Sequence, residues 1–470
     1  MGAGRVPVLY RPPAIRLADQ LTVWALWTLM LAGVANEVLG QTALIGFGFY
    51  TFHVVDPAVV LTFLAWSFYQ TERAPTGGLV VAPVLLVGLL LIVNFGRGIT
   101  GNSASALLWA RGTLEIGGLL LLGTVCSPTP AMRAVFRRAL LTAGFLIAGL
   151  TFLRVIFGPQ LFMTIGPVEE GIGINDGGRP LQATGAFILG MSATLLCSEV
   201  IRKGLNRGWP QAGMMLVLLF ALFASGQGTA TLATVAMLMI VTVFERGGYR
   251  MARGSLAVMG LVAITIVLIA SGFDMENIKI GNWDLARRSG TYEGRLAIWS
   301  GLKKVWPTMP LSTQMFGMPG GEMPYLIVTN WKMPAVWTGS IHSMYYGAIP
   351  MMGYLGLVAY VAVLVLLTVG SLRNVLRRHS PSLTPAYPLA FCVGTVILAF
   401  SYENRNQQLF GLFFALWWLR FDAVSRRQAA AARRMGATMS TATAEPGVSA
   451  GASLVPPRHH RRNVAPLPRS

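Results

Sequence analysis

The chain has 470 residues, of which 54% are hydrophobic and 12% charged, and its formal net charge is +19. Soluble domains carry about 25% charged residues, so the composition excludes an ordinary soluble protein and indicates an integral membrane protein. Long apolar runs without alternating polarity favour membrane helices over a β-barrel, and the basic residues lie between these runs, so no nucleic-acid partner is expected.

Twelve apolar segments are predicted to be membrane helices, which gives an all-α integral membrane protein as the fold class. A helix needs about 20 residues to cross a bilayer comfortably, and several segments are shorter. The first is expected to be an uncleaved span in preference to a signal peptide cleaved near Ala35. Residues Leu39–Phe52 receive no assignment. The twelve segments are Leu21–Ala35, Ala58–Tyr69, Leu79–Phe95, Ala106–Thr124, Ala139–Phe157, Leu181–Val200, Gly213–Ala224, Thr229–Phe244, Leu256–Ser271, Tyr345–Val369, Ala386–Phe400 and Leu409–Leu419.

Most of the 37 Lys and Arg residues lie in alternate loops and in the two termini. Because cytoplasmic loops are enriched in Lys and Arg, both termini are predicted to be cytoplasmic. The domain organisation is then a polytopic transmembrane domain over residues 1–425, with a large outer loop over residues 272–344 between the ninth and tenth spans. Residues 426–470 form a basic cytoplasmic tail that is expected to be disordered. The tail either is simply solvated or lies on anionic lipids.

Five arginines fall at or near the predicted outer ends of spans, where topology does not require basic residues. Any one of them could extend to lipid headgroups. Several on one face predict a diphosphate site, because Arg binds phosphate oxygens in a bidentate manner. These residues are Arg97, Arg154, Arg179, Arg295 and Arg405.

The segment Tyr292–Trp306 has the spacing of an amphipathic helix. Arg295, Trp299 and Trp306 recur on one face. Two Trp residues on one face are typical of a helix in the membrane interface, which would hold Arg295 at the depth of a lipid phosphate. The alternative is a loop helix that packs its Trp residues against the bundle, with Arg295 capping a carbonyl.

His342 begins the span that follows the outer loop. A lone histidine at the start of a helix is usually structural, but Ser343 and a series of glycines follow it. Histidine is the side chain best suited to accept a proton near neutral pH. His342 is therefore a candidate catalytic residue, with Ser343 in a supporting role.

Two further features concern Arg97. Arg111 and Glu115 lie one helical turn apart inside a predicted span, as a structural ion pair or as a brace for Arg97. The sequence Gly96–Gly101 fits G-x-G-x-x-G, but it follows a membrane helix and not a strand, so we interpret it as a flexible outer turn that presents Arg97.

The sequence gives no basis for nucleotide or metal chemistry, because it has neither a P-loop nor an Asp-x-Asp pair. Its three cysteines are not spaced as a zinc site. No cofactor and no metal are expected.

Ser225–Gly228 is predicted to be a tight turn between two spans.

In four places the chain resembles the O-antigen ligase and polymerase superfamily of bacterial membrane glycosyltransferases. Gly294–Trp299 is similar to its Gly-Arg-x-x-Ile-Trp signature, and His342-Ser343 followed by Gly353-x-x-Gly356 is similar to the ligase histidine motif. Gly178–Phe187 is similar to the family's Arg-x-x-Gly-x-Phe entry into a span. Twelve spans with inside termini also agree. The chain differs at Gln227, where the family commonly has Arg.

The resemblance implies a GT-C-like enzyme of the bacterial inner membrane with its active site facing the periplasm. Such an enzyme moves an oligo- or polysaccharide from a polyprenyl pyrophosphate carrier to a hydroxyl of a lipid or glycan acceptor. Arg179 and Arg295, with Arg97 and Arg405, would neutralise charge on the departing diphosphate, and His342 would accept the acceptor's proton. Ligase activity is favoured over polymerase and over protein O-glycosylation. A flippase or other transporter of the same lipid-linked glycan is the rival from another class.

Overall fold

The computed structural model describes helical and loop segments that cover most of the predicted spans. The described residues are 13–39, 45–47, 50–52, 56–69, 78–101, 106–107, 109, 118–120, 122–124, 126, 129–157, 181–245, 279–280, 283–284, 289–322, 324, 326–330, 333–337, 341, 343–376, 386–402, 410–425 and 430–431. The chain divides into two units, Met1–Val424 and Ser425–Ser470. All elements described below belong to the first unit, except for Ser425, the last described residue of the final helix.

The described elements are helices and three short hairpins. The helices are α1 Pro13–Leu39, α2 Asp56–Tyr69, α3 Gly78–Gly101, α4 Pro130–Phe157, α5 Ala183–Lys203, α6 Leu205–Ala224, α7 Gly228–Phe244, α8 Ser289–Val305, α9 Leu311–Phe316, α10 Met344–Leu376, α11 Tyr387–Ser401 and α12 410–425. The antiparallel strand pairs are β1 Ile45–Phe47 with β2 Tyr50–Phe52, β3 Lys279–Ile280 with β4 Trp283–Asp284, and β5 Leu326–Asn330 with β6 Met333–Trp337.

Six of the described helices are long and apolar enough to cross a membrane: α1, α3, α4, α5, α6 and α10. Helices α2, α7 and α11 are apolar but shorter. The protein is therefore a helical membrane protein, as its composition predicted. The predicted span Leu256–Ser271 lies outside the described residues, and the segment Ala106–Thr124 is described only in part.

Helix α5 is the centre of the bundle. In the most apolar part of its span, 89% of the residues are buried, whereas the corresponding shares for α3 and α6 are 28% and 22%. It packs against α4, α6 and α7. Small residues allow these close approaches, because a Cβ added at Gly144 of α4 would overlap Ser192 of α5, and one added at Gly190 of α5 would overlap Thr234 of α7.

Side-chain contacts identify two opposite ends of the bundle. At the Tyr402 end, as we name it, α1 and α4 end near the start of α5, and α11 ends near the starts of α7 and α10. At the Glu245 end, α5 and α7 end near the start of α11. Successive helices therefore run in opposite directions, as membrane spans joined by short loops must.

Two interpretations of short segments are settled by the structure. Residues Gly96–Gly101 are the last turns of α3 and do not form a flexible turn, so that prediction was wrong. The physical reason is that this end of α3 packs closely on other backbone, since a Cβ at Gly98 would overlap Gly320. The predicted turn at Ser225–Gly228 is confirmed, with Gly226 at φ 70°. The unassigned stretch Leu39–Phe52 contains the β1–β2 hairpin.

Helix α8 packs its tryptophan face on protein. Leu302 and Trp306 are 1% and 2% exposed, and they form a small core with Ile298, Leu326 and Ile341. This agrees with the second of the two interpretations, a loop helix that packs its Trp residues against the bundle. The two lysines that follow on α8, Lys303 and Lys304, are exposed.

Candidate functional site

The Arg295 guanidinium stacks on an aromatic ring at the Tyr402 end. Its Cζ lies 4.9 Å from the centroid of the Tyr402 ring. A guanidinium over an aromatic face is held by the negative quadrupole of the ring. This attraction leaves the guanidinium N–H groups able to donate hydrogen bonds to other acceptors. Among the described residues, no carboxylate pairs with Arg295. Within the described part of the chain, this arginine is therefore held by a ring and not by an ion pair.

Tyr402 joins three other segments to that stack. Its hydroxyl donates a hydrogen bond of 3.0 Å to Gln227 Oε1, and Gln227 Nε2 donates one of 2.6 Å to the Leu181 carbonyl. The Tyr402 carbonyl accepts a bond of 3.1 Å from the Met344 amide. Gln227 is buried, so its amide orientation is fixed by these two partners. We name Arg295, Tyr402, Gln227, Leu181 and Met344 the Tyr402 network.

The segment around His342 is anchored on both sides. Trp299 Nε1 donates a hydrogen bond of 2.9 Å to the Ile341 carbonyl, and the Trp299 ring stacks on Tyr346 at 4.9 Å. Ser343 is buried, and its hydroxyl donates to the Ala399 carbonyl at 3.3 Å. The residues on either side of His342 thus contact α8, which carries Arg295, and α11, which ends at Tyr402.

The start of α5 is capped by an acidic side chain from α1. Glu37 accepts hydrogen bonds of 3.0 Å and 3.1 Å from the amides of Gln182 and Gly185. A carboxylate at a helix N-terminus satisfies amides that lack intrahelical partners and favours the positive end of the helix dipole. The cap fixes the turn that follows the predicted site residue Arg179 in sequence.

Arg154 completes this cap and is not available to a ligand. It is 1% exposed, its Nη1 lies 3.7 Å from Glu37 Oε2, and its Nη2 donates to the Glu37 carbonyl. A buried arginine of this kind needs an anionic partner to offset its desolvation. The prediction that Arg154 contributes to a diphosphate site or extends to headgroups was therefore wrong, because Glu37 neutralises it.

Arg97 lies at a junction between α3, the segment after α9 and, through Asn94, the N-terminal part of α10. Its Nη1 donates to Asn94 Oδ1 at 2.8 Å and to the Gly317 carbonyl at 2.9 Å. Asn94 Nδ2 donates to the carbonyls of Phe316 and Met351. These bonds join α3 and the end of α9 to α10 beside a break in that helix.

The break in α10 lies at Gly353. This residue has φ 68° and ψ −172°, a conformation that residues with a Cβ adopt at a cost. An added Cβ would also overlap the Met315 backbone. The glycine of the predicted histidine motif therefore serves the close approach of α9 to α10, and in the described part of the chain it does not contact the Tyr402 network.

The structure describes four of the nine predicted site residues. Arg295 lies in the Tyr402 network, while Trp299 and Ser343 anchor the neighbours of His342. Arg97 contacts other elements. The remaining five lie outside the residues that the structure describes; they are His342, Arg179, Arg405, Arg111 and Glu115.

Sequence reasoning missed Tyr402 and Glu37, and it did not predict the role of Gln227 at this end of the bundle. Tyr402 and Gln227 join segments 175 residues apart in sequence. Glu37 lies near the end of α1 and caps a helix 145 residues away. A charged Glu at the end of an apolar run was the available signal for Glu37. Gln227 was noted only as a difference from the family pattern, and Tyr402 gave no signal beyond its position at the end of a span.

The arrangement can bind an anion but shows no metal centre. Arg295 offers guanidinium donors in the network that includes Leu181 and Met344, and charged donors of this kind stabilise developing negative charge in a site of low dielectric. Within the described residues, no group of three or more His, Cys, Asp and Glu could hold a metal ion.

The Glu245 end has a different composition. Glu245 is 4% exposed and accepts hydrogen bonds of 2.6 Å from the Ser198 hydroxyl and 2.9 Å from the Ala386 amide. Its other oxygen lies 3.3 Å from Arg202 Nε. Burial raises the pKa of the Glu245 carboxyl, against the opposing effects of these hydrogen bonds and of Arg202. Nearby, Arg137 donates two hydrogen bonds to Glu199, of 2.5 Å and 3.0 Å.

The sequence was also compared with known proteins. No family model matches the chain, and a search of curated proteins gives no match.

Proposed function

We propose that the protein is a membrane glycosyltransferase that moves an oligo- or polysaccharide from a polyprenyl pyrophosphate carrier to a hydroxyl of a lipid or glycan acceptor. The observation that carries the proposal is the Tyr402 network. In this network the Arg295 guanidinium, which has no carboxylate partner among the described residues, lies over the Tyr402 ring. Tyr402 is hydrogen-bonded to Met344, two residues after His342, and through Gln227 to Leu181, two residues after Arg179.

The reaction we assign to this site has one bond made and one broken at the sugar. The acceptor oxygen attacks the anomeric carbon, the bond from that carbon to the diphosphate oxygen breaks, and polyprenyl pyrophosphate leaves with the electron pair. His342 takes the acceptor's proton or orients its hydroxyl. Arg295 and Arg179 stabilise the negative charge that accumulates on the departing diphosphate.

A diphosphate is a good leaving group, so this chemistry asks the protein mainly for positioning and for charge stabilisation. The bidentate fork of Arg is suited to phosphate oxygens. The stack on Tyr402 supports such a role, because it holds the guanidinium plane in one orientation and satisfies none of its N–H groups. Arg97 and Arg405 remain proposed donor-binding residues; Arg405 follows Tyr402 by three residues in the sequence.

The proposal includes a topology of twelve spans, a GT-C-like arrangement and cytoplasmic termini in the bacterial inner membrane. The antiparallel order of the described helices supports it, since α1, α4 and α11 end at the Tyr402 end, where α5, α7 and α10 begin. The basic residues of Arg133–Arg138 and Arg202–Arg207 lie at the other end. By the positive-inside rule, the Tyr402 end would then face the periplasm.

The test uses the purified full-length protein with a polyprenyl pyrophosphate-linked oligosaccharide and candidate acceptors. Product in which the glycan is attached to the acceptor supports a ligase, and carrier-linked chains of greater length support a polymerase. Movement of the intact lipid-linked glycan across a vesicle bilayer, without any new glycosidic bond, would contradict the proposal and indicate a transporter.

Variants connect the test to the site. His342→Ala and Arg295→Ala should each abolish transfer while the proteins still insert and purify normally. Arg207→Ala is the matched control, because Arg207 is an exposed arginine at the Glu245 end. Near-normal turnover in both site variants would remove the proposed mechanism, whatever the product.

A further inference from the structure

A groove lies along one face of α4 near the Glu245 end. The groove is shallow and open, its volume is about 470 Å³, and the described residues that line it come from three successive turns of this helix. Arg137 and Arg138 line the groove at one end along the helix axis, which we call its head. Leu141, Phe145 and Leu146 line most of the part that follows. The groove thus changes from charged to apolar along the helix axis, over about 12 Å at 1.5 Å per residue.

The depth of these arginines follows from the length of α4. The helix has 28 residues, more than the roughly 20 that cross the hydrocarbon core. The part after Arg138 supplies that length, and apart from Thr142 its exposed side chains are apolar, with Leu146, Leu153 and Ile156 exposed by 49%, 41% and 71%. We infer from this length and apolarity that the part after Arg138 crosses the hydrocarbon, which puts Arg137 and Arg138 at the level of the headgroups.

The two arginines differ in what they contact. Arg137 is held by two hydrogen bonds to Glu199, so one charge is neutralised and its position is fixed. Arg138 is exposed, and no acidic side chain among the described residues pairs with it. Counting only the described side chains, the head of the groove therefore keeps one positive charge without an acidic partner, next to a guanidinium that Glu199 holds in place.

We propose that this groove is a binding site for an anionic phospholipid, with the phosphate on Arg138 and Arg137 and an acyl chain along Leu141 and Phe145. The charge of the groove head matches an anionic headgroup, and the apolar wall below it begins at the depth where acyl chains begin. A free phosphate ion would use only the head of the groove and leave that wall empty. The inference does not depend on the proposed function, because it concerns the other end of the bundle.

The experiment measures lipid binding to the purified full-length protein in detergent by native mass spectrometry. The probes are phosphatidylglycerol, phosphatidylcholine with the same acyl chains, and glycerol phosphate. We expect phosphatidylglycerol to bind more tightly than phosphatidylcholine and Arg138→Gln to weaken that binding about fivefold. Thr142→Trp, which fills the groove without changing any charge, should weaken the binding of phosphatidylglycerol as well.

Arg207→Gln is the control, because it removes an exposed charge at the same end but outside the groove; it should leave binding unchanged. Equal binding of the two phospholipids would overturn the proposal. Equal losses in Arg138→Gln and Arg207→Gln would also overturn it and indicate unspecific attraction to a basic surface. Displacement of the lipid by glycerol phosphate at similar concentration would reduce the groove to an anion site.

Discussion

The two ends of the helix bundle treat their arginines differently. At the Glu245 end, Glu245 and Glu199 neutralise Arg202 and Arg137. At the Tyr402 end, Arg295 rests on an aromatic ring and has no acidic partner among the described residues. Glu37, a buried carboxylate at that end, is occupied by Arg154 and by the cap of α5.

The comparison separates charges that hold helices together from a charge that, under the proposed function, would bind a ligand. An ion pair between helices satisfies both groups inside the protein, so its loss should be felt as lost stability. A guanidinium held by a ring alone is oriented while its N–H groups remain available for an external anion. We expect substitutions at the two ends to separate into effects on activity and effects on stability.

The largest expected effect is on catalysis at Arg295. Arg295→Ala should lower turnover about 100-fold or more, the usual result of removing one charged donor from a site that stabilises developing charge. Turnover is measured with a polyprenyl pyrophosphate-linked glycan donor. Arg295→Lys should restore only a part, because an ammonium keeps the charge but lacks the planar fork.

Arg137→Ala is the matched substitution at the other end. It should lower the melting temperature, since Glu199 loses its partner, but leave turnover per folded protein unchanged. If the two alanine variants lose activity equally, the distinction between the ends is wrong.

The second effect is on stability at Glu245. Glu245→Ala removes the acceptor for the Ser198 hydroxyl and the Ala386 amide, both at buried positions. Leaving such donors unsatisfied should destabilise the protein by about 2 kcal/mol. Thermal unfolding in detergent measures this. Unchanged unfolding would mean that the helix ends at Glu245 are not held by this carboxylate.

A smaller effect separates the two functions of Tyr402. Tyr402→Phe keeps the ring under Arg295 but loses the hydrogen bond to Gln227, and it should lower turnover about fivefold, as expected for one hydrogen bond of ~1 kcal/mol. Tyr402→Leu loses the stack as well and should lower turnover further. Equal turnover in the two variants would exclude a role for the stack.

The smallest effect is a pH dependence at the Glu245 end. Burial raises the pKa of Glu245 above its ordinary value, so the fold favours the protonated form. The contribution of this pKa shift to the free energy of unfolding is fully present below the ordinary pKa of a Glu carboxyl. It is lost as the pH rises through the raised pKa of Glu245. Glu245→Gln should abolish this component of the pH dependence of thermal unfolding. An unaltered pH profile would show that Glu245 titrates normally.

The helices could be predicted because apolarity is a local property of the chain. Eleven segments, for example Leu181–Val200 and Tyr345–Val369, coincide wholly or in part with described helices, while Leu256–Ser271 lies outside the described residues. Gly96–Gly101 shows the limit of local patterns. Glycines there suggested a turn, but close packing against Gly320 selects a helix.

The site could be predicted only in part. Arg295 and Trp299 follow from helical spacing on α8, whereas no pattern identified Tyr402, and Gln227 was noted only as a difference from the resembled family. The sequence could not distinguish the roles of Arg154 and Arg295, since both are arginines near the ends of apolar segments.

The sequence by itself determined that this is a helical membrane protein and which segments are apolar enough to be buried, because these properties depend on composition within about 20 residues. Only the tertiary structure decided that Glu37 neutralises Arg154 and that Tyr402 supports Arg295. The physical reason is that charge compensation depends on which side chains meet, and the partners here lie more than 100 residues apart in the chain.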